Sequence, residues 1–182
     1  MTSRGNKKGK MFGILTSVAA LPLFLVLSVF PQETPVGAEV APPPLKLLAK
    51  TEAAQLHGET DVKKRTRIAL EFMEGRLAES ERLGSDGKFD EMYSQLGCFH
   101  AIMDDTLQFL VKHDTDSGKI LNNLKKFEIG LRSFVPRLKI VRAQLPPNYE
   151  PYVRALVKYI GDAREKAIAP FFGTTVVPGE KN

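Results

Sequence analysis

Chemistry in this 182-residue chain would have to come from few side chains: three histidines, one cysteine and scattered carboxylates. His100 and Asp104 stand at i, i+4, so a helix carrying them shows both on one face, with Met92 and Met103 near the same line. Such residues can build a metal or haem site in a helical core. A metal centre needs about three or four converging ligands, however, and no second histidine at helical spacing joins His100. The sequence has no C-x-x-C-H, H-E-x-x-H or E-x-x-H pattern. His100 therefore reads as a residue at the edge of a packed seam, hydrogen-bonded to Asp104, and no metal or cofactor is expected.

Asp114-Thr115-Asp116-Ser117-Gly118 begins like a calcium loop. The bidentate Glu that such a loop needs at its twelfth position is here Lys125, and glycine falls fifth instead of sixth. Turn and cap chemistry explains the segment better. Asp104 and Asp105 are adjacent, so on a helix their carboxylates diverge by about 100° and cannot act as an acid–base pair. With no G-x-S-x-G, phosphate-cradling glycine loop or dinucleotide fingerprint either, the expectation is a protein that is not an enzyme.

The first 38 residues set the address. MTSRGNKKGK carries four positive charges, and Met11–Phe30 then runs for twenty residues without a charge. Basic residues stay on the cytoplasmic side while an apolar run partitions into the bilayer. Val36-Gly37-Ala38 offers small residues for signal cleavage after Ala38. The run is long enough to serve as an uncleaved anchor as well, with Pro22 near its middle. Residues 1–38 are thus a signal peptide or membrane anchor, and either reading exports the rest, to the periplasm or outside. Residues 39–44 form a Pro-rich linker.

From Leu45 to residue 172 the apolar residues recur with a period near 3.6. A short segment, Leu45–Leu56, precedes four long predicted helices: Asp61–Leu83, Lys88–Val111, a third that Asp116 or Ser117 can cap and whose pattern runs from Ile120 to Leu145, and Glu150–Phe171. The third carries a strict seam of Ile120, Leu124, Phe127, Leu131, Phe134, Leu138, Val141 and Leu145, with Pro136 inside it as a source of a kink. The fourth is expected to bury Val153, Leu156, Ile160, Ala163, Ala167 and Phe171. Short turns favour antiparallel neighbours. The fold class is all-α: an antiparallel up-down four-helix bundle behind the signal or anchor helix and linker, with residues 173–182 a flexible tail. The single cysteine excludes an internal disulfide, so packing must hold the domain.

Two surfaces are candidates for recognition. Cys98, Ile102 and Phe109 form a second apolar stripe on the second long helix. Either the Leu45–Leu56 segment covers it, or a second copy does, with Cys98 able to cross-link the pair. Charge also divides unevenly: residues 39–116 are net −5 and residues 117–172 net +7. Two oppositely charged hairpins would dock through complementary rims. Alternatively Lys125, Lys126, Arg132, Arg137, Lys139, Arg154 and Lys158 present a basic face to an anionic surface such as lipid headgroups or a cell-wall polymer. The formal charge of +5 owes a net +3 to the first 38 residues, so nucleic acid is not implied. The expected function is that of an exported, non-enzymatic interaction or accessory protein, with a protein partner or self-association and membrane attachment through the N-terminal segment. The alternatives are a small-molecule or metal-binding bundle and a membrane-tethered binder of anionic surfaces.

Overall fold

The computed structural model describes residues 39–113 and 117–172. Among them are five α-helices and no strand: α1 Lys50–Gly58, α2 Val62–Ser85, α3 Phe89–Lys112, α4 Gly118–Ala143 and α5 Glu150–Ile168, followed by a 3₁₀ turn, Ala169–Phe171. The regular structure over this range is all helical. The expected cleavage point Ala38, the N-terminal segment 1–38, Asp114–Asp116 and the tail 173–182 lie outside the described residues.

Local chemistry sets the helix ends. Asp61 caps α2, its carboxylate accepting the Lys64 N–H at 2.9 Å. At the other end Gly87 adopts φ 73°, a left-handed conformation that glycine reaches without a Cβ penalty. The Lys88 N–H then returns to the Leu83 carbonyl at 2.9 Å and the Gly87 N–H to Gly84 at 3.1 Å, which satisfies carbonyls the helix end would leave open. α5 begins with proline in its first turn and loses α-geometry just before Pro170, which supplies no N–H. This change of pitch corrects one expectation: Phe171 is 41% exposed instead of buried. Pro136 leaves α4 unbroken from Gly118 to Ala143. It stands on the exposed face, where water can reach the Arg132 carbonyl whose helical bond it forgoes.

The seams meet as their spacing requires. Met73, Leu77, Met92, Leu96, Phe99, Leu124, Phe127, Leu131 and Leu156 are wholly buried, and Phe99 meets Phe134 edge-on at 5.4 Å. Four buried polar side chains are satisfied within their own helices: Thr66, Ser80, Thr106 and Asn123 each donate to a carbonyl three or four residues back.

Cross-helix pairs give the directions. Arg65 meets Asp105 and Arg76 meets Gln95, so α2 and α3 run antiparallel. Glu128 meets Arg164 and Arg142 meets Glu150, so α4 and α5 do too. Between the hairpins the partners keep step: Asp61 with Lys119 and Glu81 with Arg137 make α2 and α4 parallel. Tyr93 with Tyr149 and His100 with Tyr152 do the same for α3 and α5. α2 packs extensively on both α3 and α4, α5 on α4 and less on α3, whereas α3 and α4 touch only weakly. Consecutive helices alternate in direction, as short turns demand, yet the hairpins meet through the parallel pair α2/α4.

Glu128, only 4% exposed, holds the second hairpin together. Burial pushes its carboxyl up, but hydrogen bonds from Arg132 and Arg164, at 2.9 and 2.8 Å, outweigh that and hold it below the ordinary 4.5. Because the folded-state value is depressed, the stabilisation is present above the ordinary value and is lost as pH falls below it. Glu128→Gln is expected to cost about 2 kcal/mol in urea unfolding at neutral pH. That cost should shrink as the wild-type carboxylate protonates in acid; an equal cost at both ends of the range would contradict the assignment.

Candidate functional site

Residues 39–49 do not wind into a helix; they lie as an extended arm over the seam between α3 and α5. Pro42-Pro43-Pro44 favours an extended backbone and brings no N–H that would need a partner against a helix surface. Three points fix the arm. The Ala41 N–H donates to the Asn148 carbonyl at 2.9 Å, in the turn between α4 and α5. The Leu45 carbonyl sits directly over Gly97, where a Cβ would come within 2.3 Å of that oxygen and 3.2 Å of the Pro44 Cβ. Lys46 Nζ reaches the Asp104 carboxylate at 3.1 Å and stands 5.4 Å above the Tyr159 ring. The expected helical segment from Leu45 thus starts only at Lys50, because the five residues before it are held in the arm.

Beneath and beside the arm, the α3/α5 seam collects all four tyrosines of the chain and His100. The Tyr93 hydroxyl donates to the Tyr149 carbonyl, and their rings meet edge-on at 5.0 Å. Tyr149 donates to Asp90 at 2.7 Å. His100 Nδ1 lies 3.3 Å from the Tyr152 hydroxyl, and its ring is 4.9 Å from that of Tyr159. The partner expected for His100 was Asp104. Its Nε2 is 3.6 Å from that carboxylate, too far for a hydrogen bond, and Asp104 is taken by Lys46.

The electrostatics keep the seam neutral. Burial lowers the His100 pKa; Asp104 opposes the shift and Lys46 adds to it. Burial also pushes Tyr93 up to about 12 and Tyr152 higher still. The imidazole and the tyrosine hydroxyls of the seam are engaged in hydrogen bonds and ring contacts within the domain.

Two concavities flank Lys46. One, of about 450 Å³, lies between the arm and α5 and is lined by Val40, Pro43, Pro44, His100, Tyr152 and Tyr159, among others. The other is an open groove of about 810 Å³ beyond Lys46, walled by Leu47 and Leu48, by the Ala101–Val111 part of α3, and by Lys166 and Ala169. Leu47 and Val111 are exposed at 60% and 42%. Asp105 stands in its wall, fixed by Arg65 at 3.0 Å and His57 at 2.9 Å.

The remaining sequence candidates fall into place around this frame. Cys98 is half-buried and faces a recess lined by Pro42–Pro44, Leu45 and Leu47; burial raises its thiol pKa, with Arg76 opposing. Ile102 is wholly buried, and Phe109 is partly buried with the Arg65 guanidinium 3.8 Å over its ring. Within the chain, the arm thus borders Cys98 and Arg65 lies over one face of Phe109. Of the basic set, Arg137 is drawn into α2 by Glu74 and Glu81, Arg132 binds Glu128, and Arg154 binds Glu150. Lys125, Lys126, Lys139 and Lys158 are exposed. Among the described residues, no group of three or more His, Cys, Asp or Glu converges as a metal site would require, and no helix is long and apolar enough to cross a membrane. The extended course of residues 39–49 over α3 and α5 and the tyrosine seam were not anticipated. Their one local signal is Gly97, a glycine in the middle of a helical pattern, which marks a close approach of another backbone.

Comparison with protein-family models, curated proteins and solved structures finds no match to this chain.

Two measurements test the site. Gly97→Ala is expected to lift the arm while helix content is retained, so that Cys98, the only thiol, reacts with an exposed-thiol reagent several-fold faster; Gly161→Ala, with open space at its Cβ, should change nothing. His100 gives a pH test. With its folded-state value depressed, the unfolded chain takes up a proton that the folded chain refuses, so stability falls as pH drops below the ordinary 6.5. The groups facing the imidazole are Asp104 on its own helix, Lys46 on the arm, and Tyr152 and Tyr159 on α5. The wild type should lose up to about 1.4 kcal/mol per pH unit from this source in that window, and His100→Gln should lack that slope in urea titrations.

Proposed function

We propose that this chain is an exported, non-enzymatic interaction module, in which residues 1–38 serve as signal peptide or membrane anchor and the four long helices form a four-helix bundle. Its partner is a protein that lays an apolar segment in the groove between the arm, α3 and the end of α5. The observation that carries this reading is the groove itself: about 810 Å³, open, and flanked by the exposed side chains of Leu47 and Val111. Burying the exposed half or so of each of these side chains is worth half of the ~1.5–3 kcal/mol that full burial brings, which suits them as anchors of a modest, reversible contact. Lys46 and Lys166 opposite Asp104 and Asp105 give its rim both signs of charge, and charged rim groups select a partner more than they tighten binding.

Site-specific photocrosslinking in intact cells is the direct test. A photoreactive residue at Val111 should give a discrete adduct that Leu47→Asp abolishes. The same probe at Ala78, on the exposed side of α2, should give none. An identical pattern at both positions, or no adduct at Val111, would remove the basis for this reading.

A further inference from the structure

The geometry points to a second, independent binding surface: the outward face of α4 takes the headgroup and interfacial layer of an anionic lipid bilayer. Of the exposed large hydrophobic residues on the four long helices, two stand within α4, Ile129 at 53% and Ile140 at 59%; α2 has none, α3 has Val111 near its end, and α5 has Tyr159, over which Lys46 sits. Eleven residues apart on a helix, Ile129 and Ile140 lie within about 20° of one another round the axis and about 16 Å apart along it. Pro136 falls on the same line.

Cations flank this row. Lys125 and Lys126 stand near Ile129, and Arg132 and Lys139 run along one side. Lys125, Lys126 and Lys139 have no ion-pair partner among the described residues. The one carboxylate of α4, Glu128, is buried and holds Arg132 and Arg164, so the uncompensated cations of the outward face are Lys125, Lys126 and Lys139. Aliphatic side chains ringed by lysines on one helix face are the pattern of an interfacial contact: the apolar groups enter the boundary layer and the ammonium groups meet phosphates. Charge complementarity selects an anionic bilayer. Chain length agrees with it. Ten residues separate Phe30 from Ala41, so a bilayer that took the apolar Met11–Phe30 stretch would lie within about 40 Å of Ala41. Ala41 is bonded to Asn148, in the turn that follows the Ile140 end of α4.

The chain has no tryptophan, so one introduced in its place reports its own surroundings. Full-length protein carrying Ile129→Trp or Ile140→Trp is mixed with vesicles of equimolar phosphatidylglycerol and phosphatidylcholine, or of phosphatidylcholine alone, each with brominated lipid. Blue-shifted, bromine-quenched emission is expected only with phosphatidylglycerol, reversed by high salt. Lys125→Gln with Lys139→Gln should weaken the contact equilibrium roughly thirtyfold. Ala78→Trp, on α2, serves as the control and should stay unquenched. Three results would overturn the proposal: quenching equal on both lipids, quenching equal at Ala78→Trp, or a blue shift reproduced by a soluble polyanion without lipid. None of them bears on the groove.

Discussion

Arg137 fixes the step between the two hairpins. Its guanidinium reaches from α4 to Glu81 at 2.7 Å and to Glu74 one turn-pair earlier on α2, a fork that only one register of parallel helices can satisfy. The hydrogen bond with Glu81 first, and Glu74 after it, push the guanidinium pKa upward. Close by, Gly130 lets α4 approach Leu70, whose Cδ2 lies where a Cβ would stand 2.5 Å away. With α2 and α4 held in step, α3 and α5 come to lie parallel on the other side, and that seam is the floor on which the arm rests. Loss of the fork would therefore be felt beyond α4, in the geometry of the Tyr93–Tyr149 and His100–Tyr152 contacts.

The division of charge along the chain has two physical outcomes. Part of it is consumed in docking: Lys119 with Asp61 and Arg137 with Glu74 and Glu81 join the basic half to the acidic half. These are partly exposed pairs, worth little singly but selective for one mutual arrangement of hairpins. The remainder, the lysines of the outward α4 face, is surplus to folding. A surplus of one sign on a single helix stores repulsion that folding does not relieve, which is an argument for a use outside the fold.

The long helices were legible because each repeats an apolar step many times. α2, α3 and α4 begin and end within about two residues of where periodicity and turn chemistry put them. Failures occurred where a partner distant in sequence decides. Leu45–Ala49 has a helix-compatible pattern, but its conformation is set by Gly97 and Asp104, about fifty residues on. His100 has Asp104 at the expected spacing, yet its imidazole is oriented by Tyr152 on another helix. Phe171 obeys the α5 period, but Pro170 changes the pitch just before it. Hairpin neighbours follow from short turns; which helix of one hairpin meets which of the other does not, since the Arg137 fork spans a separation of 56 residues.

The arm links these features energetically. It borders Cys98, whose thiol pKa burial pushes up. It also delivers Lys46 to Asp104 and supplies Leu47 and Leu48 as one wall of the groove. On the proposed reading, a segment laid in that groove would contact the arm only when the arm is docked, and would stabilise the docked state by the corresponding free energy. The coupling would be reciprocal: loosening the arm at Gly97 or weakening the Lys46–Asp104 pair lowers affinity in the groove to the extent that it depopulates the docked arm. On that reading, docking of the arm beside Cys98 and occupancy of the groove are one equilibrium, read at two places along α3.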